Sequence, residues 1–139
     1  MIAEAFVDTN ILIYAAAGYH EAPAKHARAW EIIGAANYGI SGQVLAEFFV
    51  NAIKKPAVPL TISEAVKWVD SLSTIPVVAI DADLVGEAVA CSSRYQISYW
   101  DAALIIAAER LEAPILYTED LNHKQKYNSV TVINPFKNN

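Results

Sequence analysis

The chain alternates between short apolar runs typical of buried strands and longer segments with the apolar spacing of helices. A parallel sheet covered on both faces has strands that are apolar throughout, whereas the helices on it carry apolar residues every three or four positions. The alternation predicts an α/β fold: a three-layer α/β/α arrangement with a central, mostly parallel sheet of about five strands. No linker or repeat divides the 139 residues, so we expect a single domain over 1–139.

Capping residues, prolines and glycines suggest the bounds of each element. We expect strands at 2–7, 38–40, 75–80, 115–117 and 130–133. We expect helices at 9–17, at 23–33, from an N-cap at 41 to about 54, from a capping box at 61 to about 72, from a cap at 81 to about 94, and at 100–111. Gly18 and Gly34 follow the first two helices, where glycine favours a helix end. Pro76 suits an edge strand, because it cannot donate a ladder hydrogen bond.

Four carboxylates stand close to the points where strands meet helices. Asp8 follows the first strand, Glu47 lies shortly after the second, Asp101 lies in the first turn of the most apolar helix, and Asp120 follows the 115–117 strand. The carboxyl ends of parallel strands converge on one crevice, where ligands bind. Two carboxylates about 4 Å apart repel by roughly 4 kcal/mol at an effective dielectric constant near 20. A divalent metal would offset that repulsion, so the four acids predict a metal site.

Asp8 and Asp101 each have an ordinary structural explanation as well. Aspartate is a good helix N-cap, and a carboxylate in the first helical turn is stabilised by the helix dipole. Asn10 adds a short polar group that could orient the Asp8 carboxylate by hydrogen bonding. Trp100, next to Asp101, suggests that this helix begins in a partly enclosed place.

Glu47 and Asp120 have alternatives too. Glu47 belongs to a row with Gln43 and Asn51, whose spacing of four places the three side chains one above another on a helix. In an isolated helix such a row is usually a solvated stripe. Asp120 could be a solvated loop residue, and the sequence does not rank it above its neighbour Glu119.

Other kinds of site have little support. His20, His26 and His123 show no HExxH or paired spacing, so they do not indicate zinc and are expected at the surface. Cys91 lies in an amphipathic helix and is expected in the core, and neither a G-x-S-x-G motif nor a glycine-rich phosphate loop occurs. A single cysteine forms no intrachain disulfide, which suits a cytoplasmic protein. No apolar run reaches about 20 residues, so we expect no membrane partner.

The net charge of −5 excludes a protein that binds nucleic acid mainly by charge. It does not exclude RNA as a substrate, because setting aside the four candidate acids leaves 11 of 15 Asp and Glu against 10 Lys and Arg. Lys54-Lys55 and Lys124-Gln125-Lys126 are small basic clusters that could contact phosphates, or could simply be solvated.

Four ordered segments resemble the PIN-domain ribonucleases, and most closely the VapC toxins of bacterial toxin–antitoxin pairs. The segments are Val7-Asp8-Thr9-Asn10-Ile11-Leu12, Ser41-Gly42-Gln43-Val44-Leu45-Ala46-Glu47-Phe48, Tyr99-Trp100-Asp101-Ala102-Ala103-Leu104-Ile105-Ile106-Ala107-Ala108 and Leu116-Tyr117-Thr118-Glu119-Asp120-Leu121, and the closing Val132-Ile133-Asn134-Pro135-Phe136 is similar to the family's last strand. The resemblance runs from about residue 2 to 136 and implies a PIN-like fold.

The resemblance also implies roles for particular residues. Carried over by position, Asp8, Glu47, Asp101 and Asp120 would be the catalytic, metal-binding acids. The polar residues that brace them would be Thr9, Asn10 and Thr118. One departure is visible, because Lys124 stands where many relatives have glycine.

The implied activity is a Mg²⁺-dependent endoribonuclease, with Mn²⁺ as an alternative metal, in which a metal-activated water attacks the RNA phosphate. Oxygen ligands without His or Cys suit Mg²⁺. Further implications are 5′-phosphate and 3′-hydroxyl ends, a homodimer, and a VapB-type antitoxin that covers the acidic groove. The helices at 44–54 and 62–72 could form a protruding hairpin for a partner, or could simply pack on the sheet.

Two other functions are alternatives to this one, a receiver-like signalling domain and a catalytically silent module, and a phosphatase is a weaker candidate. A receiver-like Mg²⁺-binding signalling domain would need an acidic pair after the first strand and a lysine after the last, and neither is present. A haloacid-dehalogenase-like phosphatase would need D-x-D-x-T, but Asp8-Thr9-Asn10 lacks the second aspartate. A catalytically silent PIN-fold module that binds a partner is the other alternative.

Overall fold

A six-stranded sheet with the order β3-β2-β1-β4-β6-β5 lies at the centre of the computed structural model, which describes residues 2–35 and 37–137. Neighbouring strands run parallel except for β5 and β6, which are antiparallel. The strands are β1 Ala5–Val7, β2 Tyr38–Ser41, β3 Val77–Val78, β4 Ile115–Tyr117, β5 Lys126–Tyr127 and β6 Val130–Ile133. The helices are α1 Thr9–Ala17, α2 Pro23–Ala35, α3 Gly42–Ala52, α4 Ile62–Leu72, α5 Ala82–Tyr95 and α6 Tyr99–Arg110. The predicted α/β class is confirmed, with one strand more than expected.

The additional strand is β5. It pairs with β6 through a tight hairpin in which Asn128 has a left-handed backbone conformation, with φ of 54°. Asparagine tolerates this conformation better than most residues. A two-residue strand is too short to show any alternation of apolar and polar positions, which explains why the sequence did not predict it.

The core lies on both sides of the sheet. The central strands β1 and β4 bury Phe6, Val7 and Leu116 completely, and every residue of α6 from 102 to 108 is buried. This segment of α6 is therefore enclosed on all sides. A sheet that buries both faces explains the apolar character of its strands.

Most of the predicted helix ends are confirmed. Ser41 and Asp81 accept hydrogen bonds from Val44 and Leu84, and Thr61 forms a capping box with Glu64. Gly18 caps α1, and a Cβ atom there would lie 2.6 Å from the carbonyl oxygen of Tyr14.

Two helix ends differ from the expectation. Gly34 lies inside α2, which runs to Ala35, because glycine weakens a helix without ending it when the chain continues to pack. The N-cap of α6 is Ser98, whose hydroxyl accepts a hydrogen bond from the Asp101 backbone at 3.1 Å. The interpretation of Asp101 as an N-cap is therefore wrong, and its carboxylate does not cap the helix.

The predicted edge strand is shorter than expected but lies at the edge of the sheet as β3, directly after Pro76. The two helices that flank the Pro56–Pro59 segment, α3 and α4, pack on each other, and Trp68 of α4 contacts both Phe48 of α3 and Trp30 of α2. No helix within 2–35 and 37–137 is long and apolar enough to cross a membrane.

Candidate active site

The fold brings the four predicted acids around one open cavity at the carboxyl ends of the central strands. Asp8 joins β1 to α1, Glu47 lies in the second turn of α3, Asp101 lies in the first turn of α6, and Asp120 follows β4. The cavity has a volume of about 330 Å³ and is lined by Asp8, Gln43, Glu47, Trp100, Asp101, Leu104 and Asp120. The shared location follows from the topology, since β1 lies between β2 and β4.

Asp8 is the most buried of the four acids, with only 4% of its surface exposed. It is the N-cap of α1, and its carboxylate accepts hydrogen bonds from the Thr9 backbone at 2.7 Å and from the Thr118 hydroxyl at 2.8 Å. Burial raises the pKa of Asp8 to about 6, the two hydrogen bonds oppose the rise, and repulsion from Asp120 and Glu47 adds to it. Asp8 therefore both caps α1 and lines the acidic cavity.

Asn10 and Thr118 connect Asp8 to Asp120. The Asn10 side-chain nitrogen lies 3.4 Å from an Asp8 carboxylate oxygen and 3.2 Å from one of Asp120, and the Asp120 backbone donates to the Thr118 hydroxyl at 3.1 Å. Partial burial raises the pKa of Asp120, repulsion from Asp101 and Glu119 adds to the rise, and the Asn10 hydrogen bond opposes it. Asn10 and Thr118 thus fix the positions of Asp8 and Asp120 relative to each other.

Glu47 is held from its own helix. The Gln43 side chain donates to a Glu47 carboxylate oxygen at 3.1 Å, so the row of polar residues on α3 faces the cavity and is not a solvated stripe. Thr9 bridges α1 and α3, since its hydroxyl donates to the carbonyl oxygen of Val44 at 3.4 Å. A second cavity of about 380 Å³ shares Asp8, Glu47 and Asp120 and adds Asn51 and Lys55 to its lining.

Glu119 points away from the acidic cavity. Its carboxylate accepts hydrogen bonds from the Tyr14 hydroxyl at 2.7 Å and from the Lys25 ammonium group at 3.0 Å. This ion pair neutralises Glu119, whereas Asp120 has no such partner among the described residues. The structure therefore distinguishes two adjacent acids that the sequence left unranked.

The donor set fits a hard divalent cation. None of the ion pairs found within 2–35 and 37–137 includes one of the four cavity acids. Within the same residues, no three His, Cys, Asp or Glu side chains are close enough to form a complete metal site by themselves. The acids instead surround a space, which suits Mg²⁺, because this ion keeps several water ligands and uses only one or two carboxylates. Asn10 adds a buried carbonyl oxygen without a partner in this part of the chain.

Sequence reasoning missed the apolar side of the cavity. Trp100 was expected to mark an enclosed place, but 63% of its surface is exposed, and Leu104 lies one helical turn further along the same wall. Their spacing of four residues on a helix that also carries Asp101 was the available signal. The histidine expectation also fails in part, because His26 and His123 are half-buried.

The comparison with protein families agrees with this geometry. A family model described as "PIN domain" matches residues 5–128, which is most of the chain. The chain belongs to the PIN domain family.

Solved structures support the PIN fold. A toxin–antitoxin complex from Klebsiella pneumoniae matches with a TM-score of 0.70 and 22% identity over 96% of this chain and 98% of its own. VapC20 of Mycobacterium tuberculosis, a sarcin–ricin loop cleaving toxin, matches with a TM-score of 0.66 and 22% identity over 84% of this chain and 89% of its own. VapBC2 from Rickettsia felis, bound to a DNA fragment from its promoter, matches with a TM-score of 0.60 and 19% identity over 95% and 97%. No curated protein sequence matches significantly.

Lys124, which stands where many relatives have glycine, has a backbone conformation typical of glycine. Lys124 has φ of 70°, in the left-handed region that glycine adopts without strain, and its backbone donates to the Val132 carbonyl at 2.7 Å. The loop therefore keeps the backbone conformation that glycine would favour while it carries a lysine side chain.

Proposed function

We propose that this PIN domain is an endoribonuclease that depends on Mg²⁺ or Mn²⁺, and that it is the toxin of a toxin–antitoxin pair. The observation that carries the proposal is the single cavity lined by Asp8, Glu47, Asp101 and Asp120, which come from four separate segments of the chain. The family assignment supports nuclease chemistry, and VapC20, which has the same fold, is a toxin that cleaves the sarcin–ricin loop.

The four acids would hold the metal, one or two of them directly and the others through its water ligands, and the residues around them would fix their positions. A divalent metal bound there would make a coordinated water more acidic and would offset negative charge on the phosphate. Thr118 and the Thr9 backbone orient Asp8, Asn10 orients Asp120, and Gln43 orients Glu47. Preorganised carboxylates lower the cost of assembling the site around substrate.

Asp101 is positioned by its place in α6. It is the third residue of the helix, and the backbone N–H groups of the first turn favour a carboxylate there. Because Ser98 provides the cap, the Asp101 side chain remains directed to the cavity that it lines with Asp8 and Glu47. Whether Glu47 binds the metal or orients the attacking water is the part of the proposal that variants at this position would resolve.

Lys55 would contact the RNA backbone. It lines the second cavity, which shares Asp8, Glu47 and Asp120 with the first, so a phosphate beside Lys55 would be next to the acids. A lysine there balances part of the local negative charge and positions the strand without reading its sequence.

We further propose a VapB-type antitoxin, a homodimeric assembly and a cytoplasmic location. The antitoxin proposal is supported by the neighbours from Klebsiella pneumoniae and Rickettsia felis, which are toxin–antitoxin complexes. The cytoplasmic location is proposed because a chain with a single cysteine forms no intrachain disulfide, as is usual for proteins of reducing compartments.

The test is RNA cleavage by the purified protein with Mg²⁺ or Mn²⁺, with and without EDTA. Asp120→Asn should lower kcat/KM by about a hundredfold or more, the effect of removing one electrostatic group from an active site. Glu119→Gln is the matched control and should stay within a few-fold, because Glu119 is paired with Lys25 and Tyr14 and lines neither cavity.

Three results would contradict the proposal. Cleavage that survives both EDTA and Asp120→Asn would show that the acidic cavity is not the nuclease site. Absence of cleavage of any RNA would favour a silent partner-binding module. Labelling of the protein by a phosphoryl donor would favour a receiver-like domain.

A further inference from the structure

Trp100 combines exposure with a place in the acidic cavity. The indole is 63% exposed, yet it lines the same 330 Å³ cavity as Asp8, Glu47, Asp101 and Asp120. A ligand that fills this cavity would contact the indole, because Trp100 and Leu104 form the apolar part of a lining that is otherwise polar. The other strongly exposed tryptophan, Trp30, is 47% exposed but packs against Trp68 and donates to the Ala15 carbonyl at 2.8 Å.

The indole is held in a defined position. Its ring meets the Tyr99 ring edge to face, with centroids 5.0 Å apart and an interplanar angle of 79°. The helix that carries both rings is anchored by the Ser98 cap, and Leu104 extends the same wall one turn further on. A rigid, preoriented ring loses little conformational entropy when a ligand binds to it.

The residues around Trp100 favour contact with a base of the RNA over contact with a phosphate. No Lys or Arg among the described residues lines this cavity, so a phosphate has no direct partner beside Trp100, whereas Lys55 lines the cavity on the other side of the acids. A neutral nucleobase has no charge to be repelled by Asp101 and offers a flat face for stacking on the indole. Sequence-tolerant stacking of unpaired bases on aromatic side chains is common in proteins that bind single-stranded RNA.

We propose that Trp100 stacks on an unpaired base next to the scissile phosphate. This inference rests on the proposed ribonuclease function. In this arrangement the strand passes from Lys55, which contacts a phosphate, across the four acids to Trp100, which holds a base.

The experiment measures RNA binding and cleavage separately for Trp100→Phe, Trp100→Leu and Trp100→Ala. Affinity for a fluorescent single-stranded RNA is measured in EDTA, and kcat and KM are measured in Mn²⁺. Trp100→Ala should weaken binding and raise KM by roughly 5- to 150-fold with little change in kcat. Trp100→Phe should stay within a few-fold of wild type, while Trp100→Leu should resemble Trp100→Ala because it lacks a π face.

A matched control and an RNA series identify the stacked base. Tyr19→Ala removes an aromatic ring of similar exposure, 65%, that lines neither cavity, and it should leave binding unchanged. Single abasic sites are then placed along the RNA. An abasic site at one of these positions should weaken RNA binding by the wild type about as much as Trp100→Ala does. The same abasic site should not weaken binding by Trp100→Ala any further.

The outcomes separate this inference from the proposed function. Cleavage by the wild type with unchanged affinity and KM in Trp100→Ala would overturn stacking alone. Binding that depends on Trp100, without cleavage, would keep stacking and contradict the nuclease. Absence of both binding and cleavage would overturn both.

A second copy of the chain is the competing partner for the indole. Sedimentation velocity of wild type and Trp100→Ala reports the association state. Trp100→Ala could dissociate a dimer that the wild type forms, and its RNA affinity could return at protein concentrations high enough to restore that dimer. This result would show that Trp100 is an interface residue and would overturn stacking. An unchanged association state together with weaker RNA binding supports stacking.

Discussion

Burial and neighbouring charge act on Asp8 in the same direction. The folded chain raises its pKa from 3.8 to about 6, so the folded state holds the Asp8 proton more tightly than the unfolded state does. Stability therefore falls as the pH rises through the window between about 4 and 6, and the loss is complete above it. Ionised Asp8 therefore lowers the stability of the folded protein, and a cation bound beside it would restore that stability.

Asp8→Asn removes this ionisable group. In EDTA at pH 8 we expect the variant to be more stable than wild type by up to about 3 kcal/mol, the free energy that corresponds to the pKa change. The difference should shrink below about pH 4, where Asp8 is protonated in both states. Chemical denaturation at several pH values measures it, with the exposed Asp70→Asn as control. A difference that does not vary with pH would refute the prediction.

The candidate site could be predicted from the sequence as far as topology determines it. Asp8 and Asp120 follow neighbouring parallel strands, so their proximity is a consequence of the strand order. The sequence could not rank Asp120 above Glu119, because the distinction depends on Lys25 and Tyr14, about a hundred positions earlier in the chain. The exposure of Trp100 was likewise unpredictable, since it depends on which neighbours cover α6.

At the scale of elements, β2 and the end of α6 approach each other at Gly39. A Cβ atom at this position would collide with the Leu111 side chain and lie 3.0 Å from the Pro76 carbonyl oxygen. Leu111 is fully buried, so it has no free space in which to retreat. Glycine is required here by the close approach of α6 to the strand that precedes α3.

Gly39→Ala should therefore destabilise the protein by about 1–3 kcal/mol, the usual cost of overpacking a core. Gly86→Ala is the control of opposite sign. Gly86 lies in α5, and a Cβ atom there would have no neighbour within 4 Å, so alanine should stabilise by roughly 0.5–1 kcal/mol through helix propensity. Urea denaturation of the three proteins measures both effects. Equal stabilities of Gly39→Ala and wild type would show that the strand and helix can separate without penalty.

Local signals predicted most elements and their ends, but they failed where tertiary packing decides. The capping box at Thr61 and Glu64 is encoded by two residues and is confirmed. Gly34 is an equally clear local signal for a helix end, yet α2 continues through it. The short β5 has no signal of its own and exists because it pairs with β6.

At the scale of the whole molecule, the four acids connect parts of the chain that are otherwise far apart. Asp8 belongs to the β1–α1 junction, Glu47 to α3, Asp101 to α6 and Asp120 to the segment after β4. An ion held by several of them would link these parts and would bind the folded state in preference to the unfolded chain. Binding of that kind stabilises by about 2.7 kcal/mol when the ligand concentration is 100 times Kd.

Mn²⁺ should accordingly raise the Tm by roughly 10 °C at such a concentration, given about 3–4 °C per kcal/mol for a domain of this size. Differential scanning fluorimetry with increasing Mn²⁺ measures the rise. The double variant Asp8→Asn, Asp101→Asn should show little or no metal-dependent rise, although its Tm without metal is higher. Asp70→Asn, Asp83→Asn is a control of equal charge, and a response like that of the cavity variant would place the ion elsewhere.

The position of Asp120 in the chain also has a consequence for the time at which the acidic site can be completed during synthesis. β4 lies between β1 and β6, and Asp120 follows β4 in the chain. The fourth carboxylate can therefore join the other three only after the ribosome has synthesised and released β4 and the residues that directly follow it. An emerging PIN domain with Asp8, Glu47 and even Asp101 already outside the exit tunnel would still lack a complete acidic site. If the domain cleaves RNA as proposed, it would become active only after synthesis has passed Asp120.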